Sequence, residues 1–86
     1  MQINDIAYQV KTEKSFEEAS VSVLKAVDAK GWSIFSIYDL HDRLAAKGFK
    51  HKKIRIIEIC SAKHSNKLLQ KNQLISLCLP CKVNVI

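Results

Sequence analysis

The chain has 86 residues, a formal net charge of +6, 48% hydrophobic residues, two glycines and one proline. Such values exclude a disordered or collagen-like chain, and the length excludes a large multidomain enzyme. The longest mainly apolar run, Ile54 to Cys60, contains Arg55 and Glu58 and is far too short to span a bilayer.

One domain covering residues 1–86 is expected. A core of this size is marginal and cannot enclose a large cofactor without a second subunit, so no cofactor is expected. Met1-Gln2-Ile3-Asn4-Asp5 lacks the basic-then-apolar order of a secretory leader, which points to the cytoplasm. Thiols stay reduced there, and an odd count of three cysteines does not suit a disulfide framework. The moderate positive charge favours solubility and weak contact with anions.

Ile6, Tyr8 and Val10 alternate and predict a short first strand. Ser15-Phe16-Glu17-Glu18 then fits a capping box, with acidic side chains suited to the helix dipole. Phe16, Ala19, Val23, Ala26 and Val27 recur at helical spacing up to Gly31, a C-cap, so a helix is predicted from about Ser15 to Lys30. Trp32 to Tyr38 is aromatic and β-branched, a second strand. Asp39 is the expected cap of a shorter helix with Leu40, Leu44 and Ala45 inward, ended by Gly48.

A basic connection, Lys50 to Lys53, leads to a third strand, Ile54 to Cys60, covered on both faces. Ser61 is the expected cap of a third helix reaching about Lys71, with Leu68 and Leu69 as its apolar contacts. The last strand is expected from Leu77 to Ile86, with Pro80 at a bulge or edge inside it. The order is βαβαβαβ. Short connections and only three helices favour an α+β, two-layer α/β sandwich, with helices on one face of a four-stranded sheet.

Leu79-Pro80-Cys81 with Val83 and Val85, the strand ending Glu58-Ile59-Cys60, and the Tyr38-Asp39 step resemble the domain of unknown function 302 family. The resemblance covers about Ile6 to Ile86. It departs at Cys60-Ser61-Ala62, where members commonly continue as Cys-Asn-Pro. It implies a two-layer α/β domain that tends to form homodimers, and it implies no catalytic residues. It also places Cys60 and Cys81 at recurring cysteine positions.

Neighbouring strand ends could bring the thiols of Cys60 and Cys81 together, to bind a soft metal or form a transient disulfide. The plainer reading makes both small buried core residues. Cys78-Leu79-Pro80-Cys81 has redox C-x-x-C spacing, but on a strand residues three apart face opposite ways. Cys60, His64, Cys78 and Cys81 could supply a Cys3His zinc set, against the plainer reading of His64 as a solvated first-turn residue. Asp39, His41 and Asp42 could form an acid–base group, although capping and the dipole already explain both carboxylates.

Lys47, Lys50, His51, Lys52, Lys53 and Arg55, with Phe49 among them, form the densest basic segment. They could track phosphates, or could simply be a solvated loop that keeps a strand edge from aggregating. No recognised nucleic-acid motif and no Gly-rich phosphate loop is present. The expected role is therefore a small dimeric binding or interaction module with a small ligand or protein partner, and no residue pattern marks an enzyme. A thiol-based redox or metal-handling protein on Cys60 and Cys81 is the alternative. A weak nucleic-acid binder through residues 47–55 is a second, less favoured one. No membrane partner is expected from the hydropathy.

Overall fold

A computed structural model describes residues 9–86. Helix α1, Phe16–Ala29, opens on Ser15 in extended conformation, whose hydroxyl accepts the Glu18 N–H at 3.1 Å. The Ser15 hydroxyl also lies 3.1 Å from the Glu18 carboxylate, so the pair closes on itself. The helix ends at Gly31, which takes φ +72°. There the Trp32 N–H reaches the Val27 carbonyl at 3.1 Å and the Gly31 N–H reaches Asp28 at 2.9 Å. Those two bonds satisfy last-turn carbonyls and fold Trp32 back onto the core.

Strand β1, Ser33–Asp39, runs directly into helix α2, Leu40–Ala45. Gly48, at φ +89°, repeats the same ending: the Phe49 N–H bonds Leu44 and the Gly48 N–H bonds Ala45. Strand β2, Arg55–Cys60, is followed by helix α3, Ala62–Lys71, then a 3-10 helix, Gln73–Cys78, and strand β3, Cys81–Val85.

The described sheet is three-stranded and antiparallel, ordered β1-β2-β3. The expected fourth strand on Ile6, Tyr8 and Val10 lies largely outside the described residues, and Val10 itself is in no strand. The α+β class holds; the four-stranded sheet and the full βαβαβαβ order do not appear among the described residues. The register slips between Ile34 and Ser36, so Phe35 is an extra residue on β1.

Alternation sorts β2 into two faces. Ile57 and Ile59 point to the α1 side and form the core with Val27 and Val85. Phe16, Ala19, Val23, Leu24, Trp32 and Val83 surround it. On the other face Ile56 and Glu58 remain half-exposed, so β2 is not fully covered on both sides.

The helices share the work unequally. Helix α1 supplies the layer over the sheet, whereas α3 has no buried residue and packs mainly on the 3-10 helix. Leu69 is half-buried and Leu68 exposed. Leu40 and Leu44 turn partly inward as expected, but Ala45 is exposed.

The C-terminal expectation needs correction. Residues 73–78 are 3-10 helix, and β3 starts at Cys81. Pro80 precedes the strand, after a cis Leu79–Pro80 peptide, so no ladder donor is lost to it.

Candidate functional site

The cysteines do not converge in the expected way. Cys60 ends β2, is buried, and shares a hydrogen bond of 2.8 Å with Ser65 of α3. Cys81 opens β3 and is exposed. Cys81 pairs with Ile59 and so takes that residue's face, while Cys60, one step further along β2, takes the opposite one. Neighbouring strand ends thus bring the two backbones close without joining the thiols, and joint burial fails at Cys81.

His64 lies in the first turn of α3 and is exposed, as the plainer reading has it. Its Nδ1 is 2.8 Å from the Ser61 hydroxyl, and its ring stands 6.2 Å from that of Trp32. Ser61 therefore spends its side chain on His64 and makes no side-chain cap to α3. The Cys78 side chain lies outside what the structure describes. Among the described residues, Cys60, His64 and Cys81 form no metal-ligand group.

The group that does converge is Asp39, His41 and Asp42, whose ligand atoms lie within 4.8 Å of one another. Asp39 occupies the cap position of α2 but makes no side-chain cap bond. Its carboxylate instead accepts from Arg55, at 2.6 Å from Nε and 3.2 Å from Nη2. Across the antiparallel pair Asp39 lies directly opposite Arg55, which explains the contact.

Arg55 also reaches Glu17 of α1 at 3.1 Å and stacks over the Phe16 ring at 4.8 Å. This clasp ties α1, β1 and β2 at one end of the sheet. The hydrogen bond from Arg55 holds the Asp39 carboxyl below its ordinary value, against the opposing effect of desolvation. The bonds to Asp39, then Glu17, raise the Arg55 pKa further still.

His41 is half-buried, not solvated. Its Nδ1 sits 3.1 Å from both the backbone N–H and the carbonyl of Ile54. Its Nε2 is 3.5 Å from Asp42, and its ring meets Phe16 edge-on at 6.0 Å. A cation among these three side chains would face the Arg55 guanidinium already bound to Asp39. The arrangement reads as a structural lock between α2, β2 and α1.

The basic segment also divides. Lys47, Lys50, His51, Lys52 and Lys53 are exposed on the connection between α2 and β2, with Phe49 exposed among them. Arg55 leaves this set, since its charge is committed to the clasp.

Sequence reasoning missed one surface altogether. On β1, Ile34, Phe35 and Ile37 are 41%, 61% and 46% exposed. Two shallow depressions lie elsewhere, one lined by Leu69 to Gln73 with Ser76, the other by Lys14, Glu17, Glu18, Val21 and Ser22.

The model of the family described as domain of unknown function DUF302 matches residues 8–86. The chain belongs to that family. No curated protein and no solved structure matches the chain. The match spans the stretches on which the resemblance rested, from the Tyr38-Asp39 step to the Leu79-Pro80-Cys81 corner.

Proposed function

We propose that the chain is a cytoplasmic, non-enzymatic interaction module that works as a homodimer built on the outer side of β1. The observation that carries this reading is the exposure of Ile34, Phe35 and Ile37 together on a strand with one described neighbour. Three adjacent apolar side chains on a described sheet edge are an unfavourable surface for a lone chain and a ready template for pairing. A second copy is the natural occupant. A two-fold axis places the same strand on both sides, so the two apolar sets cover each other.

A domain this small also gains stability by association. The Ile57 and Ile59 face of β2 is already buried in the core, which leaves the apolar side chains of β1 as the surface to cover. The free state of Cys60 and Cys81 suits a reducing compartment.

Sedimentation equilibrium at micromolar concentration tests it. The expected mass is twice that of the 9.8 kDa chain. Phe35→Glu is expected to return a folded 9.8 kDa species, since the residue is exposed and its loss opens no core. A wild-type chain that stays monomeric, or a Phe35→Glu chain that remains fully dimeric, refutes the β1 interface.

A further inference from the structure

We infer that the connection between α2 and β2 is a docking loop for an anionic lipid surface, with Phe49 as its apolar wedge. Four lysines, Lys47, Lys50, Lys52 and Lys53, fall within seven residues, and all are exposed. His51, also exposed, lies among them. Residues 43–57 contain no aspartate or glutamate, so the loop carries no internal countercharge. Asp42 stands at its base beside His41, and the nearby Glu17 is engaged by Arg55. Phe49 is 65% exposed at the start of this run.

The loop is presented on a fixed stem. On one side Gly48 reverses the chain, and the Phe49 N–H is tied to the Leu44 carbonyl at 2.9 Å. On the other, Ile54 is held by His41, and its carbonyl accepts the Leu40 N–H at 3.0 Å. Ordering entropy on binding is therefore confined to side chains and the short stretch between the stems.

The chemistry favours a lipid surface over a nucleic-acid strand. Lysine is a compact point charge without the planar fork that reads bases or grips phosphates in pairs. A strand binder needs a groove that tracks the backbone and several stacking aromatics. The loop offers one aromatic side chain, and neither described depression is lined by loop residues. A planar anionic surface asks only for projecting cations and an apolar tip. Such contact needs no spanning segment, and no described helix is long and apolar enough to cross a membrane.

The test is co-sedimentation of the full chain with phosphatidylcholine vesicles, with and without phosphatidylserine, at low and high salt. Capture only by the serine-containing vesicles, weakened by salt, is expected. Phe49→Ser is expected to lower the partition coefficient about fivefold or more, by losing the aromatic burial. The double variant Lys50→Glu/Lys52→Glu is expected to lower it more than about tenfold. Both variants should keep the wild-type thermal melt, because none of these side chains is buried. Absence of capture by phosphatidylserine vesicles overturns the inference. So does capture indifferent to both variants, or stronger capture by a single-stranded oligonucleotide than by the vesicles. The dimer is read by mass and this loop by vesicle capture, so either proposal can fail alone.

Discussion

Strands β1 and β2 lie side by side, yet their isoleucines live in different environments. Ile37 pairs with Ile57 and Ile34 with Ile59, so both pairs share one face of the sheet. Ile57 is 0% exposed and Ile59 8%, while Ile37 and Ile34 are 46% and 41% exposed. Helix α1 makes the difference. Its inward residues Phe16, Ala19, Val23 and Val27 pack with Ile57 and Ile59 of β2 and with Val83 and Val85 of β3. A single helix about 10 Å across cannot cover three strands spaced about 5 Å apart. Burial is therefore rationed by the helix's position and not by the hydropathy of each strand.

The largest effect should come from the paired truncations that read this contrast. Ile57→Ala removes a fully enclosed side chain and is expected to cost about 2–5 kcal/mol. Ile37→Ala, directly across the ladder, should cost about 1 kcal/mol or less in the isolated chain, because it vacates solvent-facing space. Denaturant unfolding of both variants, at concentrations low enough to hold the chain monomeric, measures the gap. Equal costs would mean that β1 is covered in solution as well as β2. At high concentration Ile37→Ala should weaken the proposed dimer, which would make its cost concentration-dependent.

A smaller effect belongs to the clasp that joins the two strands at one end. Arg55→Met removes the bonds to Asp39 and Glu17 and the stacking over Phe16, and should lower the melting temperature by several degrees. Asp39 gives a pH signature. Its folded pKa lies below the ordinary 3.8, so its share of stability is full above that value. That share is lost as pH falls from there through the folded pKa. Asp39→Asn should abolish this part of the acid dependence and leave a flatter stability profile below pH 3.8. A variant whose acid midpoint equals the wild type's would show that the clasp contributes nothing.

The bounds of helix α1 were legible, because capping box, apolar spacing and terminal glycine agree with one another and with the fold; of its expected apolar face Ala26 is exposed, and Leu24 packs on the core instead. The second and third strands were legible within a residue at each start, since β-branched runs bounded by turns leave little choice. The last strand was read too long. It was expected from Leu77, but Asn72 accepts the Leu74 N–H at 2.9 Å and starts a 3-10 helix that runs through Cys78.

Asp39 and Ser61 stand at the expected cap positions, but neither side chain caps its helix. Asp39 turns to Arg55 across the sheet, a competition that local sequence cannot weigh, and Ser61 turns to His64 three residues on. Arg55 itself carried a signal: a guanidinium inside an apolar strand needs a partner, and antiparallel pairing offered Asp39. The exposed edge at Phe35 was illegible, because a one-residue slip in register leaves no mark in composition.

The smallest expected effect restates the covered-versus-open contrast at the other end of the sheet, in the cysteines. Cys60 is buried against Ser65 of α3, whereas Cys81 is exposed at the start of β3. A thiol reagent applied to the native chain should modify Cys81 quickly and Cys60 only at the rate of local opening. Cys60→Ala should cost about 1 kcal/mol, for a small buried side chain and one weak hydrogen bond. Cys81→Ala should stay within about 0.5 kcal/mol of wild type. Mass spectrometry of peptides after timed labelling separates the two sulfurs directly. If Cys60 labels as fast as Cys81, α3 is lifting from the sheet on the labelling timescale. The helix has no buried residue of its own, so its hold on the sheet rests on few contacts, of which Cys60–Ser65 is one. Ser65→Ala should then speed the labelling of Cys60 and leave Cys81 unchanged, which distinguishes local release of α3 from global unfolding.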